Sequence, residues 1–122
     1  MGDQAPETDE FLPLTPAVFH ILLALADQER HGYGIMQEVT AMTQDRVRMG
    51  PGTLYGSIKR MRKANLIEES DERPDPEMDD ERRRYYRLTD FGRRVLAAEA
   101  RRLSGLMDVA QAKRVLGNAE VI

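Results

Sequence analysis

The chain has 122 residues, carries a formal net charge of −3 and contains no cysteine. This length predicts one domain and leaves little room for separate cofactor and substrate domains. The lack of cysteine excludes disulfides and thiolate metal sites, and no apolar run is long enough to suggest a membrane span. The acidic N-terminus lacks the basic-then-apolar order of a signal peptide, so we expect a cytoplasmic protein.

Residues 1–12 are predicted to be disordered, because they contain several acids and few apolar groups. Thr15 followed by Pro16 predicts the start of a first helix. Apolar residues then cover most of its circumference, which indicates burial on more than one side, and a second chain could cover the extra face. The segment "DQERHGYG" (27–34) ends this helix and starts a second one, which reaches about Thr43.

A third helix is predicted from about Thr53 to Ala64, and it begins among glycines. Gly50, Gly52 and Gly56 have the spacing of a loop that holds cofactor phosphates. Such a loop must follow a buried strand, and the preceding residues lack a run of branched apolar side chains. We therefore disfavour a cofactor site here, and we predict no cofactor.

On a helical wheel the third helix has one apolar and one basic face. Leu54, Ile58 and Met61 cluster on the side that must face the core. The opposite side carries Gly52, Gly56, Lys59, Arg60 and Lys63, with Tyr55 and Arg62 on one flank and Thr53 and Ser57 on the other. Small residues near the start and bases further along suit a helix that enters the major groove of DNA.

The charges are segregated along the chain. Residues 46–67 contain six basic side chains and no acid, residues 68–81 contain nine acids and one arginine, and residues 82–87 contain four arginines. Such segregation can create a basic face on an acidic protein, and a polyanion responds to the local face. The alternative is that these charges only solvate the surface.

The segments "NLIEES" (65–70) and "RRRYYRLT" (82–89) predict two strands of a hairpin with a long tip. Phosphate would repel the acidic tip, residues 68–81, so we predict that it is mobile and points away from DNA. Thr89 then caps a last helix that reaches about Val115, a length of roughly 39 Å at about 1.5 Å per residue. A helix this long extends past the core of so small a domain.

Three helices followed by a hairpin predict a mainly α fold, the winged helix-turn-helix. The second helix braces the third, and the hairpin is the wing. The predicted organisation is a DNA-binding domain over residues 13–88, a C-terminal dimerisation helix over 89–116 and a tail over 117–122. Arginines on the returning strand, including Arg83 and Arg84, could contact the flanking DNA backbone.

Four segments resemble, in order and spacing, the PadR family of bacterial transcriptional regulators. They are "HGYGI" (31–35), "GTLYGSIKRM" (52–61), "NLIEE" (65–69) and "RRYYRLTDFGRRVL" (83–96). The similarity covers roughly residues 14–100. It implies a winged-helix repressor that dimerises through its C-terminal helix, usually together with the first helix.

The resemblance places the start of the recognition helix at Thr53, Leu54 and Tyr55. It also implies DNA contacts by Tyr55, Ser57 and Lys59, and a phosphate contact by Tyr33. The complete set of predicted DNA contacts is Tyr33, Thr53, Tyr55, Ser57, Lys59, Arg60, Lys63, Arg83 and Arg84. The predicted dimer contacts are Phe19, Leu22, Val95, Leu103, Leu106 and Ala110.

Metal binding and catalysis have little support in the sequence. His20 and His31 lie on different elements without a third ligand nearby, so we interpret them as packing or capping residues. Two functional interpretations remain. The first is a homodimeric, sequence-specific DNA-binding regulator, a repressor on a near-palindromic operator, with a small-molecule effector left open. The alternative is a winged-helix protein-interaction module without specific DNA binding.

Overall fold

The computed structural model describes residues 6–70 and 84–117. The helices are α1 (Pro6–Asp9), α2 (Pro16–Ala24), α3 (Gly32–Met42), α4 (Pro51–Lys63) and α5 (Asp90–Ala112), and the strands are β1 (Arg30–His31), β2 (Ile67–Glu69) and β3 (Tyr85–Leu88). The predicted fold class, mainly helical with a small sheet, is confirmed. The structure adds two elements that the sequence did not predict, α1 and β1.

Side chains cap the helices that frame the domain. The Thr15 hydroxyl accepts a hydrogen bond from a first-turn backbone N–H of α2 at 3.3 Å, and Thr89 does the same for α5 at 2.8 Å. Both predicted caps are confirmed. His31 caps α3, where its Nδ1 accepts from the Gly34 backbone N–H at 2.9 Å. These bonds satisfy donors that the first turn of a helix leaves free.

One core lies between α2, α3, α4, the sheet and the first half of α5. Its largest fully buried side chains include Ile21, Leu22, Leu25, Ile35, Val39, Leu54, Ile58, Met61, Ile67, Tyr86 and Val95. The predicted apolar face of α4 is therefore confirmed, because Leu54, Ile58 and Met61 are all buried. This packing fixes α4 with its opposite face outward.

The three strands form an antiparallel sheet in the order β1-β3-β2. β2 pairs with β3 as the predicted hairpin does, with Glu68 opposite Arg87. β1 adds to the other edge of β3, and its Arg30 lies opposite Tyr86. Two residues are too few to show an alternating pattern, so the sequence could not reveal β1.

The N-terminal segment differs from the predicted disorder over residues 6–12. These residues include the short helix α1, and the Phe11 ring meets the Phe91 ring edge-on at a centroid distance of 5.6 Å. The Leu14 backbone N–H donates to Glu99 Oε2 on α5 at 3.1 Å. Although the segment is rich in acids, a few apolar contacts and one charged acceptor suffice to hold it against α5. Residues 1–5 lie outside the described ranges.

Glu99 is the buried acid that receives this segment, with an exposure of 2%. Its two carboxylate oxygens also accept hydrogen bonds from Arg102, at 2.7 Å and 3.0 Å. The hydrogen bond from Arg102, helped by the Leu14 backbone N–H, lowers the pKa of Glu99 below its usual value in spite of burial. A charged carboxylate therefore fastens the N-terminal segment to α5.

Replacing Glu99 with glutamine is expected to destabilise the protein at pH 7, and the difference from wild type should shrink as the solution is acidified. A lowered folded pKa contributes stability above the unfolded value of about 4.3, and this contribution is lost as pH falls through the folded pKa. Chemical denaturation of both proteins from pH 7 to pH 3 measures the difference. Asp108→Asn, at an exposed acid on the same helix, is the control. A difference in unfolding free energy between Glu99→Gln and wild type that stays constant with pH would contradict a charged Glu99 in the folded protein.

The last helix, α5, ends at Ala112, three residues before the predicted end at Val115. Its first half is buried against the core, whereas most residues from Ser104 to Ala112 are exposed. Of the helices that the structure describes, none has the length and apolar character needed to cross a membrane.

Candidate nucleic-acid interface

The N-terminus of α4 is open to an approaching molecule. Gly50 occupies the N-cap position without a side-chain hydrogen bond, and Pro51 follows at the first helical position. A Cβ added at Gly50 or Gly52 would meet no atom within 4 Å. The first-turn N–H groups and the helix dipole therefore present a positive, sterically accessible end that suits phosphate.

The exposed face of α4 is basic. Lys59, Arg60 and Lys63 are exposed, as is Thr53 near the helix start. No acid lies within α4 to offset these charges. Residues 47–50, just before the helix, form no strand.

Ser57 was predicted to contact DNA from the flank of the basic face, but in the structure it faces the core. It is fully buried, and the Arg60 guanidinium donates to its hydroxyl at 3.3 Å. This corrects the sequence-based placement of Ser57 at the exposed flank. At about 100° per residue, Ser57 lies roughly 60° from Leu54, well within the reach of a core that wraps around the apolar stripe.

Tyr55 packs α4 against the start of α3. A Cβ on Gly32 would overlap the Tyr55 hydroxyl and lie 2.8 Å from a ring carbon, so the ring occupies the space that a side chain would need. The hydroxyl oxygen is buried. The structure therefore favours packing at the core margin for Tyr55. Tyr33, on the first turn of α3, is 57% exposed.

A basic cleft separates α4 from the sheet. Its volume is about 560 Å³, and its lining residues are Tyr55, Ile58, Lys59, Arg62, Lys63 and Tyr86. Three of the six carry positive charge, and two are aromatic. Cations on the walls of such a cleft can neutralise phosphate charge.

The two arginines of the wing that the structure describes, Arg84 and Arg87, form ion pairs with acids. Arg87 on the central strand donates from Nε to Glu68 at 2.9 Å and lies 3.6 Å from Glu29. The hydrogen bond that it donates to Glu68 raises the pKa of Arg87. Arg84 Nε lies 3.5 Å from Glu69. The first two residues of the predicted mobile tip, Glu68 and Glu69, therefore belong to β2. Ser70 follows β2, and its backbone N–H donates to the Tyr85 carbonyl oxygen at 2.7 Å. Residues 71–83, which include Arg83 and the tip from residue 71 on, lie outside the described ranges.

The predicted dimer residues fall into two groups. Leu22 and Val95 have no exposed surface, so they belong to the core of the protomer, and this corrects their assignment to an interface. Leu106 is 53% exposed, and Phe19, Leu103 and Ala110 are partly exposed. The structure adds exposed apolar side chains that the sequence reading missed, namely Leu23, Met107 and Val109.

The described residues include no group of three acidic or histidine side chains placed to hold a metal ion. His20 lies on α2 with its Nδ1 2.6 Å from the Pro16 carbonyl oxygen, and His31 caps α3. Each histidine thus has a partner three or four residues away along the chain.

Helices α2, α3 and the basic α4, followed by the hairpin of β2 and β3, form a winged helix-turn-helix fold. The family model described as the transcriptional regulator PadR-like family matches residues 21–98 of the chain. The chain belongs to this family, which confirms the resemblance. The family is one of transcriptional regulators.

Solved structures share this fold. A transcriptional regulator from Clostridium thermocellum superimposes with a TM-score of 0.65 at 19% identity, covering 89% of this chain and 95% of that one. A PadR family transcription regulator from Clostridium difficile gives 0.64 at 25% identity, covering 83% and 98%.

A protein encoded in transposon TN4556 of Streptomyces fradiae is 36% identical over 88 residues, which cover 70% of this chain. The chain spans 23% of the length of that protein.

Proposed function

We propose that the chain is a homodimeric, sequence-specific DNA-binding regulator that represses transcription by occupying a near-palindromic operator. The observation that carries this proposal is α4, whose apolar stripe is buried while its basic face and uncapped N-terminus remain open. A helix held in this way can enter a major groove without rearrangement of the core.

Within the proposed complex, the N-terminal turn of α4 and its lysines make different kinds of contact with DNA. The N-terminal turn of α4, with Thr53, reaches base edges and phosphates, because small residues there allow close approach. Lys59 and Lys63 neutralise phosphates on the sides of the groove. Contacts to phosphate position the protein, whereas contacts to base edges select the sequence.

Exposed apolar side chains support a dimer, and a two-fold dimer would bind a near-palindromic operator. The second half of α5 exposes Leu106, Met107 and Val109, which are 53%, 51% and 47% exposed, and α2 exposes Leu23 at 40%. A second copy of the chain would bury these apolar side chains. The two recognition helices would then read half-sites about one helical turn apart.

The test is fluorescence anisotropy with the pure protein on DNA from upstream of its own gene and on scrambled DNA of equal length, over a salt series. Tight binding only to the first DNA, with an affinity that falls steeply with salt, supports the proposal. For about six phosphate contacts the loss is about 10³-fold or more between 50 and 200 mM salt. Weak, equal binding to both DNAs, and to a pool of genomic fragments, would favour the protein-interaction module.

Replacing Lys59 with alanine is expected to weaken binding to all DNA sequences and to reduce the salt slope by about 0.9, the value for one lost phosphate contact. The slope is measured by anisotropy from low to moderate salt. Lys113→Ala, which removes an exposed lysine just after α5, is the matched control and should leave the slope unchanged. An unaltered slope for the Lys59 variant would remove Lys59 from the interface.

A further inference from the structure

Two adjacent acids on β2 lie on opposite faces of the sheet. Side chains alternate along a strand, so Glu69 shares the inner face with the buried Ile67, while Glu68 points outward. The side chain of Glu69 is 17% exposed, and that of Glu68 is 49% exposed. Glu69 is therefore an acid held between the wing and the body of the domain.

The carboxylate of Glu69 connects two elements. Its Oε1 lies 3.7 Å from the Arg62 guanidinium on α4, and its Oε2 lies 3.5 Å from Nε of Arg84, the residue before β3. One acid thus joins the proposed recognition helix to the wing through an arginine on each. Partial burial limits the screening of such a pair by salt.

The bridge lies beside the basic cleft. Arg62 lines the cleft together with Lys59 and Lys63, so a negative charge stands among cations that would face phosphate. A carboxylate in this position opposes general attraction to DNA. A role in fixing the positions of Arg62, Arg84 and the wing would account for a carboxylate at this place.

We propose that Glu69 is a positioning residue for DNA recognition, which holds Arg62 and Arg84 and so sets the spacing between α4 and the wing. This rests on the proposed function. Specific binding requires α4 in the groove and the wing on the flanking backbone at the same time. Non-specific binding requires only positive charge near phosphate.

The experiment compares Glu69→Gln with wild type on the operator fragment and on scrambled DNA. The substitution removes one negative charge, so affinity for scrambled DNA should stay equal or rise. Affinity for the operator should fall, and the ratio of the two affinities should drop about five-fold, a coupling of about 1 kcal/mol. Glu68→Gln, with the same charge change one residue away, should leave the ratio unchanged.

A purely structural role gives a different result. If Glu69 only stabilised the fold, both affinities would fall in the same proportion at temperatures near unfolding, and the ratio would stay constant. Arg84→Gln provides a second variant. Once Arg84 is replaced, adding Glu69→Gln should change the ratio less than it does in wild type, because the contact between Glu69 and Arg84 is already lost and only the contact with Arg62 remains.

The outcomes separate this inference from the function on which it rests. Wild type that does not prefer the operator to scrambled DNA contradicts the regulator itself. If wild type prefers the operator, two results overturn only the positioning role. One is an unchanged ratio of operator to scrambled-DNA affinity in Glu69→Gln, and the other is an equal fall of that ratio in Glu68→Gln.

Discussion

Replacing Leu106 with glutamate is expected to convert the dimer into monomers and to lower operator affinity by at least about 100-fold. Leu106 is 53% exposed in the second half of α5, a surface that we propose to be the seam between two copies. The two-fold symmetry of a dimer places two carboxylates in that apolar seam, and burying unpaired charge costs several kcal/mol. A monomer then binds one half-site and loses the gain of about 10² to 10⁴ that linked binding provides.

Sedimentation velocity measures the first effect and anisotropy on the operator the second. Because Leu106 lies outside the protomer core, the helical content of the variant should match that of wild type. Ser104→Glu is the matched control, since Ser104 is exposed on the same helix and lies roughly 160° away at about 100° per residue. A Leu106 variant that still sediments as a dimer would move the interface to another surface.

Replacing Gly92 with alanine is expected to cost about 3 kcal/mol of unfolding free energy, the upper part of the range for overpacked sites. Gly92 lies in the first turn of α5, where an added Cβ would overlap the backbone carbonyl oxygen of Leu66. That carbonyl cannot move aside freely, because it accepts a hydrogen bond from the Thr89 backbone N–H at 3.1 Å. The new methyl group must therefore displace either α5 or the start of β2.

Urea denaturation of the two proteins measures this loss. Gly105→Ala provides a matched control on the same helix, because a Cβ at Gly105 meets nothing within 4 Å. In an exposed helix interior alanine is more favourable than glycine by about 0.5–1 kcal/mol, so the control should be at least as stable as wild type. Equal stability of the Gly92 variant and wild type would show that the close approach to Leu66 does not constrain the fold.

Local chemistry explains what the sequence predicted. The Thr15 and Thr89 caps depend on a hydroxyl and the next three residues, and the apolar stripe of α4 depends on spacing within one helix. Both signals are complete within a few residues. The winged-helix class followed from the order of such elements, and four motifs in one order pointed to the family.

The errors arose where a partner distant in sequence decides the outcome. A helical wheel separates the apolar from the polar side of a helix, but it does not show how much of the circumference of α4 the core covers. Ser57 was therefore placed on the exposed surface. It also cannot distinguish an apolar residue that packs within its own protomer, such as Leu22 or Val95, from one that could meet a second copy. β1 exists because β3 offers a free edge, and the residues from Pro6 to Leu12 are ordered because α5 offers a surface.

The strand order β1-β3-β2 has a consequence for how the domain assembles. Arg30 pairs with Tyr86, more than fifty residues further along the chain, whereas α2, α3 and α4 meet close neighbours in sequence. Closing so long a loop costs entropy before the strands gain any hydrogen bonds, which makes such pairing late relative to local helix contacts. The base of the wing, where β1 meets β3, is therefore completed only when the chain returns to the segment between α2 and α3.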